Sequence, residues 1–437
     1  MSLPDLIELI PAAGNVQARV IVPGSKSITN RALVLAALAD GESILRGALW
    51  SEDTQVMVEC LQDLGFMVAV TPDPLESDNR TITVYGKGGV IPRGGTAEKP
   101  LELFVGNAGT AARFLAAMLC LGEGVYRLHG VPRMHERPQA ALFQSLRELG
   151  YRIDSFNDKL PALIHGGGAR PGSCTVSVQE SSQFASALLL SGWVGGWKVV
   201  LQGANLDESP YVVMTEQLVQ VFPRHGGSFQ VEPDASSGSY FWGANALIGT
   251  GVGSGSSSIP GPSVGPGISV AHWPSSGWQI DAEFPRYLPL PPVVSRQQHL
   301  GDSIMTAIVL APTMPGPIRF TDLGRLRVQE CERVLALRTE LTRCGARVEE
   351  QGDTLTVYPG PLVGAEIETY GDHRMAMCFA ILGLKVPGMR LKNPSCVKKT
   401  FPNFFQKLAG APPHGLGVRI VEPVNRRLLV PEELVAL

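Results

Sequence analysis

Apolar residues gather into short, almost uninterrupted runs along the chain, at 32–39, 114–121, 184–190, 304–310 and 375–384. A helix with no polar stripe has no face to show to water, so each run predicts a helix buried on all sides. Ahead of each run stands a loop of small, hydroxyl-bearing or charged residues. A second pattern alternates with the first. Stretches 139–150, 212–226 and 330–345 carry apolar residues three and four apart and end at a glycine. That spacing predicts half-buried helices. Strand patterns follow, as at 346–348 and 355–357.

The plan of loop, buried helix and strand occurs six times, opening near Gly24, Asn107, Ser181, Asp234, Asp302 and Asp372. The period of about 70 residues exceeds that of a solenoid repeat. The predicted class is therefore α/β, built of repeated α/β units with buried helices. One unit is degenerate. Residues 249–267 are rich in Gly, Ser and Pro, and Pro285, Pro289, Pro291 and Pro292 interrupt the place of its second helix. Proline lacks a donor and clashes with the preceding turn, so irregular structure is expected there.

At 437 residues the chain exceeds one ordinary core, which makes two domains the default. Hydrophobic residues at 44% and charged residues at 18% describe a folded globular chain. A net charge of -3 argues against a general nucleic-acid binder. A locally cationic site can still draw in an anion. The seven cysteines form no CxxC pair and most lie in apolar runs, as buried free thiols of a reducing compartment would. Neither a secretory leader nor an apolar run of membrane-spanning length is visible, so a cytoplasmic enzyme without membrane partner is expected.

Chemistry concentrates at the loop-to-helix junctions. The loop 23–31, PGSKSITNR, runs into the first buried helix and offers backbone N–H groups beside Lys26 and Arg31. Such a helix start suits an anion. Arg113, Arg133, Arg137, Arg327, Glu330, Arg333, Asp372, His373, Arg374, Lys398 and Lys399 occupy comparable places. Arginine offers a planar fork matched to carboxylate or phosphate. Singly, each has an ordinary explanation: Glu330 and Arg333 as a surface pair, His373 as a core histidine. Their recurrence points instead to a small polyanion held by many cations. Dinucleotide and Walker loops, a Gly-x-Ser-x-Gly elbow and metal-ligand spacings are absent from the sequence.

Taken in order, the segments PGSKSITNRA, LFVGNAGTAARFLAA, RMHERP, ESSQFASALL, DASSGSY, GDSIMT, RVQECER, GDHRMAMCF and KKTFPNFF resemble the 5-enolpyruvylshikimate-3-phosphate synthase family of enolpyruvyl transferases. The likeness spans nearly the whole chain and is weakest over 249–299. It implies a two-domain inside-out α/β barrel, each domain made of three repeats, closing over the substrates. The domains would be 24–237 and 1–23 plus 238–437, joined by a double crossover. The implied reaction moves the enolpyruvyl group of phosphoenolpyruvate to the 5-hydroxyl of shikimate 3-phosphate through a tetrahedral intermediate. It needs no cofactor or metal, and a monomer is expected. Both substrates are anions, so cations must bring them together, and proton carriers must serve the hydroxyl and the methylene carbon.

By position, the resemblance gives phosphoenolpyruvate to Lys26, Gly109, Arg133, Gln183, Arg333, Arg374 and Lys399. It gives shikimate 3-phosphate to Ser27, Arg31, Ser181, Ser182, Gln183, Asp302 and Gln329. Lys26, Asp302 and Glu330 become the acid/base groups. The chain departs from the family on the acceptor side, at Glu208, Arg325 and Gln329. Those departures suggest, as an alternative, an enolpyruvyl transferase with a different phosphorylated acceptor. The sister family acting on a UDP-amino sugar fits less well, because 132–138 carries no cysteine. A non-catalytic anion binder is opposed by Lys26, Asp302 and Glu330 all being present. Gly109 in the pocket implies sensitivity to glyphosate.

Overall fold

The computed structural model describes residues 3–203, 209–249 and 267–436. It divides into two compact units, Gly24–Glu232 and Met1–Pro23 with Pro233–Leu437. The second passage falls after Glu232 rather than at residue 237. The physical reason is local: Asp234 Oδ1 accepts from the Ser237 N–H at 2.6 Å and caps the helix Ala235–Ile248, so the turn belongs with that helix.

In the unit Gly24–Glu232, three inner helices pack on one another: Lys26–Leu38, Gly109–Leu119 and Ser182–Gly195. The second is buried at every residue and the other two nearly so. Each fully buried Leu or Phe among them contributes roughly 1.5–3 kcal/mol. Each inner helix is bracketed by parallel strands. Leu101–Phe104 pairs with Val125–His129, and Gly172–Ser177 with Trp197–Gln202. The strand just before the Lys26 helix, Ala18–Val20, belongs to the other unit and does not fill this place. The distant strand Gly227–Gln230 does so, parallel to Asp40–Leu49. Antiparallel strands Asn79–Lys87 and Met67–Pro72 extend that sheet, and Ala162–His165 and Arg152–Asp154 extend its neighbour in the same order.

The other unit repeats the plan with inner helices Ala235–Ile248, Ile304–Leu310 and His373–Gly383. Val293–Ser295 pairs parallel with Ile318–Thr321, and Glu366–Ile367 with Met389–Lys392. Here the borrowed strand is Ala18–Val20, parallel to Ile268–Val270. A Cβ on Gly243 would meet Thr306 at 3.0 Å, Leu310 at 3.2 Å and Ile381 at 3.6 Å, so glycine permits the close approach of all three helices. Ser239 and Thr306 hydroxyls hydrogen-bond at 2.8 Å across the same seam.

Two expectations change in detail. The helix expected from residue 330 begins at Arg333, because the Glu332 side chain caps the Leu335 N–H and 3₁₀ turns occupy Gly324–Val328. Glu330 therefore sits on a bend with its side chain free of helical direction. In the degenerate repeat, Ile280–Tyr287 forms 3₁₀ turns around Pro285 and buries Phe284. Shorter i→i+3 bonding tolerates the proline that an α-helix would not. Most of 249–267 and Glu208 lie outside the described residues.

Candidate active site

Within Gly24–Glu232, Lys26 is the first residue of its helix. Its N-cap Ser25 makes no side-chain bond to the first-turn amides. Lys26 Nζ lies 3.0 Å from Asp53 Oδ2, on the helix Glu52–Asp63. Asp53 is a neighbour that sequence reasoning missed, since an acid in a helix's first turn is commonplace. Ser27, half-buried, gives its carbonyl to Arg31 Nη1 at 2.8 Å. Arg31 itself is 2% exposed. Its Nε and Nη2 donate to Thr215 and Ser186 at 2.7 and 3.0 Å, and its guanidinium lies over Phe114. Its place is beneath the surface, tying the inner helices together.

A second cluster in this unit joins Gly109, Arg113 and Gln183. Arg113 Nη1 donates to the Gly109 carbonyl at 3.0 Å and to Gln183 Oε1 at 3.4 Å. Gln183 Nε2 reaches Thr110 Oγ1 at 3.4 Å. Ser181 and Ser182 open the third inner helix, where Ser181 Oγ caps the Gln183 amide at 3.2 Å. The Ser181 hydroxyl hydrogen remains available to an anion at that helix start. Arg133 stands apart: its side chain is exposed on the short helix Pro132–Glu136 and pairs with Glu136.

In the unit of Pro233–Leu437, the expected residues form one network. Arg333 is buried between Asp372, at 2.7 Å from Nε, and Glu330, at 2.9 Å from Nη2. The Gln329 side-chain oxygen accepts from the same guanidinium. The other Glu330 oxygen lies 2.9 Å from Lys399 Nζ. Arg374 donates to Ser236, and its Nη2 forms an ion pair with Asp302 Oδ2 at 3.2 Å. Asp302 Oδ1 meets Arg296 Nη2 at 3.1 Å, and Oδ2 meets Arg333 Nη1 at 4.0 Å. Three carboxylates thus stand among four cations, which offsets the repulsion that Arg296, Arg333, Arg374 and Lys399 would otherwise exert. Asp372 caps the Arg374 amide at 2.8 Å as well, so one residue both starts the helix and holds Arg333.

Charge sets the protonation states. Burial alone would raise the Asp302 carboxyl, but Arg374, Arg296 and Arg333 outweigh it and hold Asp302 far below the usual carboxylate range. Burial opposes the charge on Arg333, yet Asp372, Glu330 and Asp302 raise its affinity for the proton. Asp281, inside the 3₁₀ segment, goes the other way. Burial and the neighbouring Asp302 push it up to about 6. A carboxyl whose proton affinity rises on folding contributes stability in acid and loses it as pH climbs through its folded value. The stability owed to Asp281 is thus expected to be present below pH 3.8 and gone above about 6. Asp281→Asn should flatten the fall in melting temperature over that window and melt higher than wild type at pH 7. Parallel melting curves for the two proteins across the window would refute this.

The seven cysteines are free and five are buried. Burial, with Asp63 and Glu59 nearby, pushes the Cys60 thiol up to about 12, out of reach of nucleophilic chemistry. Among the described residues no helix is long and apolar enough to cross a membrane.

Comparison with known proteins agrees with this arrangement. The family model described as EPSP synthase (3-phosphoshikimate 1-carboxyvinyltransferase) matches residues 10–225 and 272–408. Named 3-phosphoshikimate 1-carboxyvinyltransferases from Nostoc punctiforme and Laribacter hongkongensis are 36% and 38% identical. Those alignments cover 92% and 93% of this chain and 98% and 99% of the relatives. An EPSP synthase structure from Acinetobacter baumannii superposes with a TM-score of 0.70 at 20% identity, covering 95% of this chain and 100% of that one. Fold, ordered motifs and near full-length similarity converge, and the chain belongs to the EPSP synthase family.

Proposed function

We propose that this chain transfers the enolpyruvyl group of phosphoenolpyruvate to the 5-hydroxyl of shikimate 3-phosphate and releases inorganic phosphate. The observation that carries it is the near full-length match to relatives named for that carboxyvinyl transfer. Arg333, Arg374 and Lys399 supply cations for phosphoenolpyruvate, each now neutralised by a carboxylate of the chain. An entering anion takes over part of that neutralisation. Glu330, released from the grip of Arg333 and Lys399, becomes a proton carrier to the methylene carbon. Asp302, relieved of Arg374, takes the hydroxyl proton as the oxygen bonds to the central carbon. The methyl group so formed returns its proton as phosphate leaves, which restores the double bond. Lys26 serves as a second acid/base group, with Asp53 orienting its ammonium.

Arg133, Gly109 and Gln183 complete the phosphoenolpyruvate contacts in this proposal. Ser27, Ser181, Ser182, Gln183, Asp302 and Gln329 serve the acceptor, with Arg31 supporting Ser27 from below. The enzyme is further proposed to be a cytoplasmic monomer needing no cofactor. Phosphate release should require phosphoenolpyruvate and shikimate 3-phosphate together. Release with another phosphorylated acceptor, and none with shikimate 3-phosphate, would overturn the assignment.

Gly109 gives a sharper test. A Cβ there would come within 2.4 Å of Arg113 Nη1 and 2.5 Å of Arg137 Nη2. These are ends of flexible side chains, so alanine shifts guanidiniums rather than backbone. Gly109→Ala is expected to weaken glyphosate, the longer anion, about tenfold or more, while the KM for phosphoenolpyruvate rises only a few-fold. Inhibition titrations on both proteins check it, and equal glyphosate sensitivity would remove Gly109 from the pocket wall.

A further inference from the structure

Two buried charges flank Asp302 and have no part in the chemistry above. Arg296 follows the strand Val293–Ser295, and its side chain is 1% exposed. It holds Asp302 Oδ1, whereas Oδ2 faces Arg374 and Arg333. The two oxygens therefore differ in kind. Oδ1 is bound by a guanidinium closed off from solvent, and Oδ2 by guanidiniums that the proposed function assigns to a substrate. Asp281 approaches from the other side. Its Oδ1 accepts the Ser303 N–H at 2.7 Å, and a Cβ on Gly301 would meet its Oδ2 at 3.0 Å. It thus clasps the turn that carries Asp302.

We infer that Arg296 and Asp281 are positioning residues that fix the Asp302 carboxylate with Oδ2 turned to the acceptor hydroxyl, an inference that rests on the proposed function. When an anion draws Arg374 away, Arg296 stays, because its side chain is 1% exposed against 14% for Arg374. Arg296 keeps Asp302 ionised, and Asp281 holds the turn beside it through the Ser303 amide. The remaining charges act one step removed: Asp372 and Glu330 face Arg333, and Asp234 and Tyr240 face Arg374.

The two residues should act on Asp302 by different routes, Arg296 through its charge and Asp281 through the turn it clasps. Carbon-13 NMR of Asp-labelled, ligand-free protein, with the resonance assigned by Asp302→Asn, reads its titration without any substrate. Wild-type Asp302 is expected to stay ionised to the lowest pH at which the fold survives. Arg296→Gln should bring its titration up by at least about one pH unit. Arg296→Lys, which keeps the charge and loses the fork, should restore the ionisation but not full kcat. In turnover, the acid limb of kcat should move up in Arg296→Gln. Asp281→Ala, which removes the clasp on Ser303, should lower kcat without moving that limb, because the Asp281 carboxyl is protonated below about pH 6. The KM for phosphoenolpyruvate should stay within about twofold of wild type in both. An Asp302 titration unchanged in both Arg296 variants would overturn the inference. So would an acid limb that stays unmoved in Arg296→Gln, or effects confined to KM. The NMR result stands whichever acceptor the wild-type enzyme uses, so failure here is distinct from failure of the proposed reaction.

Discussion

Glu330→Gln is expected to slow turnover by about 10²–10⁴-fold while leaving the KM for phosphoenolpyruvate within a few-fold of wild type. The carboxylate bridges Arg333 and Lys399, one oxygen on each at 2.9 Å. An amide keeps the shape and one acceptor oxygen but turns an NH₂ toward the second cation. Lys399, on a flexible stem, can move aside more readily than buried Arg333, so binding changes little. What is lost is a group able to give a proton to the methylene carbon and take it back. Steady-state kinetics on the purified variant, with a melting curve to show that it is folded, provide the check. Near-full turnover would remove Glu330 from proton transfer.

Asp302→Asn combines two losses of different origin. Its carboxylate stands among Arg296, Arg374 and Arg333, and the first and last of these are buried. Removing one partner of such a group leaves charge uncompensated in a poor solvent, which costs about 3–5 kcal/mol. Turnover is also expected to fall by about 10²–10⁴-fold, because the amide cannot accept the hydroxyl proton. The effects separate experimentally. A denaturant midpoint reads the first, and kcat at a temperature where the variant is folded reads the second. A lowered midpoint with near-normal kcat would make Asp302 structural only.

The amino-acid sequence alone determined five of the six buried helices through their apolar runs, and its repeat marked the place of the sixth, Ala235–Ile248. A run such as 375–384, with no polar face, has nowhere to go but an interior, and that holds whatever surrounds it. It also marked the junctions where charge meets a helix start, because loop composition and apolar periodicity are local properties. The tertiary structure decided what those charges touch. The partnership of Arg333 with Asp372, and the gathering of Arg296 and Asp281 around Asp302, depend on turns packed from separate stretches of chain. No periodicity records such distances. Asp53 was invisible beside Lys26 for the same reason, and so were the contacts of Arg31 with Thr215 and Ser186. Strand pairing was equally hidden. Ala18–Val20 and Gly227–Gln230 are short segments of ordinary composition. Each pairs with a strand of a sequence-distant repeat, where its backbone hydrogen bonds are satisfied, and not beside the helix that follows it.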